Sequence, residues 1–217
     1  LSEESIEKFK LWYSDSGLDL YRYLVDKWYT DEQIEQTNIF LNIREKKDKF
    51  IWRIIFPIKN QRWDVVAFAW RILNSWEPKY LNSPASQIYD KSNILYALFE
   101  AKSEVTKKDF IIITEWYMDT ISLHQSEIKN TVAVSWTALT EKHIEIIKRL
   151  TKKIYLCFDR DNAWKNATKL AIENLKNKEI ELKIIKLENW KDPDEILKKW
   201  WNFKDFIEKA LSPISYY

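Results

Sequence analysis

Acidic side chains follow three apolar runs in the second half of this 217-residue chain. The runs are residues 110–114, 154–158 and 182–187. The acids that follow them are Glu115 and Asp119, Asp159 and Asp161, and Asp192, Asp194 and Glu195. Continuous apolar runs of this length, with helical patterns between them, predict buried parallel strands in βαβ units. Because ligands of such sheets bind outside the carboxyl ends of the strands, we expect these acids to face one crevice.

Clustered carboxylates repel one another, and a hard divalent cation such as Mg²⁺ relieves that repulsion. Asp159 and Asp161 are separated by one residue, so their side chains point the same way if the strand continues. Acids at three strand ends therefore predict a Mg²⁺ site for phosphoryl transfer.

Two of these acidic groups also have simpler explanations. Asp192, Pro193 and Glu195 form the pattern of a helix start, with a capping acid, a proline at the first helical position and an acid at the third. Asp159 and Asp161, taken alone, fit a solvated turn as well as they fit a metal site. The metal interpretation therefore depends on the conjunction of all three groups.

The elements that would position these acids alternate regularly from residue 110 onward. The predicted strands are 110–114, 131–134, 154–158 and 182–187, and the predicted helices include 140–150 and 162–176. Consecutive parallel strands joined by helices predict a right-handed, doubly wound α/β sheet of the βαβαβαβ type.

The first half of the chain predicts a mixed α+β region ahead of that sheet. Helical patterns cover 18–26 and restart at Thr30, where Gln33 completes a capping box. Residues 39–48 are polar and predict a loop. The alternating residues 50–74 predict antiparallel strands around a polar turn.

Four segments resemble, in chain order, the Toprim motifs of bacterial DnaG-type primases. They are 115–119 (EWYMD), 135–140 (SWTALT), 158–164 (FDRDNAW) and 191–195 (KDPDE). Segments ahead of the sheet resemble primases more specifically, since Toprim motifs also occur in topoisomerases, RecR-like proteins and some nucleases. These segments are 56–58 (FPI), 67–71 (AFAWR), 79–84 (KYLNSP) and 89–96 (YDKSNILY). The resemblance covers essentially the whole chain.

The resemblance implies template-directed synthesis of short RNA primers from nucleoside triphosphates on single-stranded DNA. It assigns catalysis to Glu115, Asp119, Asp159 and Asp161. It assigns the binding of Mg²⁺, or Mn²⁺ in its place, to Glu115, Asp159, Asp161, Asp192 and Asp194. The residues expected to bind nucleic acid or nucleotide are Arg53, Arg71, Lys79, Tyr80, Asn82, Ser83 and Lys91. For the basic residues in this set, the alternative is an ordinary solvated face.

The resemblance also implies a domain organisation. Residues 1–105 would form a partial N-terminal primase subdomain with a basic groove, 106–199 the Toprim catalytic domain, and 200–217 the start of a C-terminal helical subdomain. The zinc-binding and helicase-binding domains of the family are not in this sequence, so we expect no zinc here. A replicative helicase would bind through a domain outside it. We expect a cytoplasmic bacterial protein at the replication fork and, since the chain starts without methionine, a piece of a longer protein.

The composition narrows the choice of partners. The net charge is only +2, so binding of nucleic acid must come from a local basic patch. No apolar run is long enough to span a bilayer, and we expect no membrane partner.

Cys157 is the single cysteine, which excludes a disulfide framework or a cysteine zinc site in this sequence. His124 and His143 lie on predicted helices at a spacing typical of no metal pair, so we expect surface or capping histidines.

Two other functions stay open at this point. One is another Toprim enzyme, a nuclease or a topoisomerase-like strand cleaver, which the segment 79–83 disfavours. The other is a Toprim module that binds nucleic acid and has lost turnover. Retention of every acid disfavours that module, whereas the tryptophans favour it. A primer-synthesis assay would separate the three.

Glycine is almost missing, because Gly17 is the single glycine beside 12 tryptophans. Average glycine usage of about 7% predicts roughly 15 in such a chain. The primase pattern expects or accepts glycine at Trp12, Trp28, Trp63, Trp70, Trp116, Trp136, Trp164 and Trp190, and glycine would be unsurprising at Trp52, Trp76, Trp200 and Trp201. Arg160 also stands between two aspartates, where the family commonly has glycine. One hypothesis explains all twelve tryptophans: UGA is a glycine codon in the source.

Overall fold

The computed structural model describes residues 1–15, 19–73, 78–135, 138–158, 162–175, 178–187, 190, 192–199 and 202–216. The α-helices in these ranges are α1 (Glu3–Phe9), α2 (Asp19–Asp26), α3 (Asp31–Gln36), α4 (Leu98–Lys108), α5 (Tyr117–Gln125), α6 (Glu141–Lys148), α7 (Asn162–Leu175), α8 (Pro193–Lys198), α9 (Phe203–Glu208) and α10 (Pro213–Tyr216). The strands are β1 (Trp12–Ser14), β2 (Phe40–Asn42), β3 (Lys47–Asp48), β4 (Arg53–Lys59), β5 (Val65–Ile72), β6 (Tyr80–Asn82), β7 (Ile111–Thr114), β8 (Thr131–Ala133), β9 (Lys153–Cys157) and β10 (Glu181–Ile184). Short 3-10 turns cover Ile43–Glu45 and Lys91–Asn93. None of the helices described is long and apolar enough to cross a membrane.

The chain folds into two compact units. The parallel-sheet unit contains Leu1–Ser5, Lys59–Asp64 and Asp90–Tyr217, and the antiparallel-sheet unit contains Ile6–Ile58 and Val65–Tyr89. Helix α4 packs its buried face into the same apolar cluster as the parallel sheet. The predicted domain boundaries themselves stay a prediction.

The parallel sheet has the strand order β10-β9-β7-β8, and every neighbouring pair is parallel. Strand β7 is buried along its whole length. Its alternate side chains pack on opposite faces, with Ile111 and Ile113 in one apolar cluster and Ile112 in the other. A strand covered on both faces has no polar positions, which is why the sequence run is continuously apolar. The predicted doubly wound α/β sheet is confirmed, although β10 ends at Ile184 and so is shorter than predicted.

The antiparallel sheet has the strand order β1-β4-β5-β6. One apolar cluster of this unit contains Phe50, Ile55 and Trp70. The predicted hairpin corresponds to β4 and β5, so the mixed α+β region ahead of the parallel sheet is confirmed. Strands β1 and β6 were not predicted, because each has only three residues and is defined by its partner strand.

The loop predicted at 39–48 is wrong. Strands β2 and β3 pair with each other antiparallel in this segment, and the 3-10 turn joins them. Phe40 and Asp48 are both buried, and the carboxylate of Asp48 accepts the N–H of Phe50 at 2.7 Å. A polar segment can therefore be ordered by one buried acid that binds its own backbone.

Helix starts follow the sequence closely. The Thr30 hydroxyl accepts the N–H of Gln33, and the Gln33 side chain accepts the N–H of Thr30, so the predicted capping box is confirmed. Thr140 caps α6 in the same reciprocal way with His143. Of the surface or capping roles expected for His143, the capping role is the one found, since the side chain is buried.

His124 is buried, so the surface or capping role expected for it is wrong. It lies on α5, a helix that is buried on nearly all sides, and only 2% of the residue is exposed. Its Nε2–H donates to the carbonyl of Thr131 on β8 at 2.9 Å. The side chain thus ties the helix to the neighbouring strand.

Candidate functional site

The order of the parallel strands reverses beside β7. The chain passes from β7 to β8 on one side and then crosses over to β9 on the other side. In open α/β sheets, ligands bind outside the carboxyl ends of the strands where this reversal occurs. Thr114 and Cys157, the last residues of β7 and β9, are paired in register. Glu115 and Phe158 therefore follow directly at the edge where a ligand is expected.

Glu115 and Asp119 are both buried beside this edge, each 3% exposed. The carbonyl of Glu115 accepts the N–H of Ser135 at 3.1 Å, which extends the pairing of β7 with β8. Asp119 lies in the first turn of α5, where the helix dipole favours a carboxylate. Burying a carboxylate, as in Glu115 after β7 and Asp119 in α5, is costly unless hydrogen bonds or a cation compensate its charge. This pair of acids suits a site for cationic groups.

Ser135 was quoted in a motif but was not predicted as a site residue. It follows β8 at the same edge, has a φ of 53° and is 7% exposed. Its hydroxyl oxygen is buried and has no hydrogen-bond partner within the described part of the chain. Its position directly after a predicted strand is the signal that could have identified it.

Asp192 and Asp194 both have structural partners at the start of α8. Asp192 caps the helix, and its carboxylate accepts the N–H of Glu195 at 2.8 Å. Asp194 accepts the hydroxyl of Ser122 on α5 at 2.7 Å and forms an ion pair with Lys198 one turn further on. The helix-start interpretation thus holds for Asp192, and the metal-ligand role of both acids stays a prediction.

Asp159 and Asp161 lie outside the described residues, as do positions 136 and 137. Where the structure does describe the chain, it brings together no group of three or more His, Cys, Asp or Glu side chains that could hold a metal ion. The predicted metal site, which depends on Asp159 and Asp161, is therefore not tested by the geometry.

Three predicted nucleic-acid residues come together at the β6 edge of the antiparallel sheet. Arg71 on β5 pairs in register with Tyr80 on β6. The guanidinium carbon of Arg71 lies 5.2 Å from the centroid of the Tyr80 ring, and Nζ of Lys79 lies 5.9 Å from it. Both distances are within the range of cation–π attraction. The edge presents two cations around one aromatic ring.

Two other predicted residues hold this edge in place. Nη1 of Arg53 donates to the carbonyl of Pro78 at 3.0 Å, and partial burial lowers the pKa of its guanidinium. Ser83 makes two hydrogen bonds with Phe68. Its hydroxyl accepts the Phe68 N–H at 3.0 Å, and its own N–H donates to the Phe68 carbonyl at 2.8 Å. Both therefore have structural roles in addition to the binding roles predicted for them. Asn82, the last residue of β6, pairs in register with Ala69.

Lys91 belongs to the parallel-sheet unit, apart from the other six residues of its predicted set. Its carbonyl accepts Nε2–H of His143 at 3.0 Å, and the neighbouring Ser92 carbonyl accepts the hydroxyl of Thr140 at 2.5 Å. Asp90 forms an ion pair with Lys142 at 2.7 Å, and this pair together with the bonds from Ser92 lowers the pKa of Asp90. The N-terminus of α6 therefore positions the turn that carries Lys91.

His143 holds this arrangement in one protonation state. Its Nδ1 accepts the N–H of Thr140 at 3.3 Å while Nε2–H donates to Lys91, so the imidazole is neutral with its proton on Nε2. The side chain is fully buried, and this burial lowers the pKa of the imidazole. A surface or capping histidine was expected at this position, and nothing in the sequence indicated that His143 contacts the carbonyl of Lys91.

Comparisons with known proteins cover both units. Residues 1–102 match the family model of the DNA primase catalytic core, N-terminal domain, and residues 112–197 match the Toprim-like model. The chain is 37% identical over 221 residues to the DNA primase of Clostridium acetobutylicum, covering 100% of this chain. It spans only 37% of that primase's length.

Two solved structures are similar over nearly the whole chain. A DNA primase domain from Pseudomonas aeruginosa has a TM-score of 0.85 and 31% identity, with 100% of this chain and 70% of that chain covered. A DnaG primase catalytic domain bound to single-stranded DNA has a TM-score of 0.87 and 28% identity, with 98% of this chain and 71% of that chain covered.

Proposed function

Because this chain belongs to the DnaG-type DNA primase family and contains the N-terminal and Toprim-like parts of its catalytic core, we propose that it synthesises short RNA primers on single-stranded DNA from nucleoside triphosphates. The observation that carries this proposal is the coverage of both units, with a primase-specific N-terminal part over 1–102 ahead of the Toprim-like part. A nuclease or a topoisomerase-like strand cleaver is not favoured, because it would not account for residues 1–102.

In the proposed reaction, a 3′-hydroxyl attacks the α-phosphate of the incoming nucleotide and pyrophosphate leaves. The new phosphorus–oxygen bond forms as the bond to the β-phosphate group breaks. Glu115 receives the hydroxyl proton as general base, or orients the groups that do so, because it stands at the strand end where a ligand is expected. Asp119, in the first turn of α5, is the supporting acid.

The acids of this chain fit a hard divalent cation. We assign Mg²⁺, or Mn²⁺, to Asp159 and Asp161, with Glu115, Asp192 and Asp194 as further ligands. All these donors are carboxylate oxygens, which hard dications prefer, and Glu115 directly follows β7 at the edge where a ligand is expected. When bound, the ion would neutralise the charge that develops on the phosphate oxygens.

The basic edge of the antiparallel sheet is the proposed template site. Arg71 and Lys79 would bind phosphates, and Tyr80 between them would stack on a base. The similarity to a primase catalytic domain bound to single-stranded DNA supports this assignment. Lys91 is assigned to nucleotide phosphate, held by the contact of its carbonyl with His143.

The whole protein would act with partners that bind outside this chain. We propose that a replicative helicase binds through a further domain, and that zinc belongs to a further domain as well. We propose a cytoplasmic location at the replication fork.

A primer-synthesis assay tests the proposal directly. The full-length protein is incubated with single-stranded DNA, labelled nucleoside triphosphates and Mg²⁺, and short labelled RNA is the expected product. Template cleavage without RNA would indicate a strand cleaver instead. DNA binding without synthesis would indicate a module that has lost turnover.

A Glu115→Gln variant sharpens the assay. Loss of the proton acceptor should lower the rate of synthesis about 10²- to 10⁴-fold while the affinity for DNA stays unchanged. Glu145→Gln is the matched control, because Glu145 is an exposed residue on α6 and the rate should be that of the unaltered protein. An unaltered rate in Glu115→Gln would remove the catalytic assignment.

A further inference from the structure

Three tryptophans have a backbone conformation that favours glycine. The φ angles of Trp28, Trp52 and Trp63 are 67°, 58° and 77°, in the left-handed region that residues with a Cβ atom avoid. The tryptophans with a described backbone are at positions 12, 28, 52, 63, 70, 116, 164 and 190. Three of these eight are left-handed, whereas only eight residues of all other types are so in the same part of the chain. Each residue with a Cβ atom that adopts this conformation lowers the folding equilibrium constant roughly five- to thirty-fold relative to glycine.

Trp28 occupies the position just past the end of α2. Its N–H donates to the carbonyl of Val25 at 2.9 Å, and the N–H of Tyr29 donates to the carbonyl of Leu24 at 3.2 Å. This pair of bonds forms a Schellman motif, whose left-handed residue is usually glycine. The Trp28 residue is 92% exposed, so packing does not explain an indole there.

Trp52 occupies the third position of a tight turn. The N–H of Arg53 donates to the carbonyl of Phe50 at 3.0 Å, and of the two central residues only Trp52 has a positive φ. That combination is typical of a type II turn, which requires glycine or asparagine at this position. The N–H of Trp52 also donates to the carbonyl of Ser14 at 2.7 Å, which holds the turn in this conformation.

Trp63 occupies the last position of the hairpin loop between β4 and β5. Its N–H donates to the carbonyl of Asn60 at 3.2 Å, and the N–H of Asn60 donates to the carbonyl of Asp64 at 3.0 Å. The three residues 61–63 thus close the loop, with the left-handed residue last. Glycine is the residue typical of that position in three-residue hairpin loops.

We propose that Trp28, Trp52 and Trp63 are glycines in the protein as its source makes it, because the source translates the codon UGA as glycine. Three unrelated local structures each favour glycine, and each has tryptophan instead. UGA differs from the tryptophan codon UGG in one base and is read as tryptophan in some codes, so a single change of codon meaning accounts for all three. The near absence of glycine beside 12 tryptophans has the same explanation.

The same rule applies to the other nine tryptophans, including those in the motif segments. Trp116 is the N-cap of α5, and its side chain makes no capping hydrogen bond. Glycine is among the residues favoured at an N-cap, whereas large side chains are not. A glycine there would also leave the space beside Glu115 open to a ligand.

The coding gene and the natural protein test this inference. We expect UGA at codons 28, 52 and 63, and peptides from the protein purified from its source should be lighter by the difference between tryptophan and glycine. UGG at these codons, or peptides with the mass of tryptophan, would overturn the inference.

Paired substitutions test the conformational argument independently. The folding equilibrium constant of the Trp28→Gly variant should be about five- to thirty-fold larger than that of Trp28→Ala, because only glycine adopts a positive φ without strain. Tyr23 is the matched control, since it is an exposed aromatic residue inside α2, the helix that ends before Trp28. There the alanine variant should be the more stable one. If the ratio of the glycine to the alanine folding constant were the same at positions 23 and 28, residue 28 would have no special preference for glycine, which would contradict the inference.

The primer-synthesis assay then separates this inference from the proposed function. The chain with glycine at the twelve positions should be active when the chain with tryptophan is poorly folded or inactive. If the coding gene has UGA and neither version makes primers, the proposed function fails while the codon assignment stands.

Discussion

The two units of this protein use opposite surroundings for their predicted functional residues. In the parallel-sheet unit, Glu115 directly after β7 and Asp119 in the first turn of α5 are almost fully buried. In the antiparallel-sheet unit, Arg53 and Arg71 are only half-buried, and the sheet edge that carries Tyr80 is partly exposed. With tryptophan set aside, nine of the twelve large hydrophobic side chains that are exposed in the described part of the chain lie in the antiparallel-sheet unit.

The difference fits the physical chemistry of the two tasks proposed for these residues. Carboxylates that act on one phosphate group work best in a site where water is scarce, because electrostatic interactions are strong there. Cations that bind a nucleic-acid backbone act by releasing counterions, which requires an open surface. A sheet covered on both faces suits the first task, and a small sheet with an accessible edge suits the second.

The largest expected effect tests the acids of the parallel-sheet unit. Asp159→Asn or Asp161→Asn should abolish primer synthesis with the fold intact, because a carboxamide cannot neutralise a dication. Removing one of two repelling charges should not lower the stability of the metal-free protein. Synthesis and urea unfolding measure the two effects.

Asp109→Asn is the control for these variants. Asp109 precedes β7 at the opposite edge of the sheet, where it pairs with Lys153 at 2.8 Å. Its removal should leave synthesis unchanged. Full activity in both Asp159→Asn and Asp161→Asn would contradict the metal-binding role proposed for these acids, and with it the functional difference proposed between the two units.

The second prediction tests the basic edge of the antiparallel-sheet unit. Arg71→Ala and Lys79→Ala should each weaken the binding of single-stranded DNA. Each should also flatten the plot of log affinity against log salt by about 0.7 for a lost phosphate contact. Binding measured over a salt series gives the slope. Lys47→Ala is the control, since Lys47 pairs with Glu45 on the same unit and should leave the slope unchanged.

The third prediction uses the buried imidazole of the parallel-sheet unit. Burial lowers the pKa of His143 from 6.5, although Asp90 and the carbonyls of Lys91 and Ile94 favour the charged form. The folded protein therefore binds fewer protons than the unfolded chain just below pH 6.5, and stability should fall as the pH drops below 6.5. His143→Gln should remove this dependence and cost about 1 kcal/mol at neutral pH.

Urea unfolding between pH 5 and pH 8 compares the two proteins for this third prediction, with the pH values chosen about the unperturbed pKa of histidine. The difference between their unfolding free energies should shrink as the pH falls. A difference that stays constant would mean that His143 does not titrate on unfolding in this range.

The smallest expected effect concerns Asp48 in the antiparallel-sheet unit. Its pH dependence is opposite to that of His143, because here stability falls as the pH rises. Burial raises the pKa of Asp48 above 3.8, so the folded protein holds its proton more tightly than the unfolded chain does. The stability that comes from this proton is therefore lost as the pH rises through the folded pKa. Asp48→Asn keeps an oxygen for the Phe50 N–H and should modestly raise the urea midpoint at neutral pH. Asp15→Asn, at an exposed position, should not.

Local signals predicted the parts of the fold that depend on one segment alone. The run 110–114 predicted β7, because a strand buried on both faces must be apolar throughout. Thr30 with Gln33 predicted the start of α3, since a capping box satisfies backbone groups within four residues. Segments that depend on a distant partner were missed, such as β1, which is three residues paired with β4.

The candidate site also has features that the sequence predicted and features that only the tertiary structure revealed. The sequence alone determined that acids follow strand runs, and its motifs were enough to indicate the primase family. Only the tertiary structure placed β7 between β8 and β9, which puts Glu115 at the point where the strand order reverses. It also assigned Lys91 to the parallel-sheet unit and linked it to His143, 52 residues away. Strand order and contacts over such separations depend on how whole elements pack, and no short segment of sequence encodes that packing.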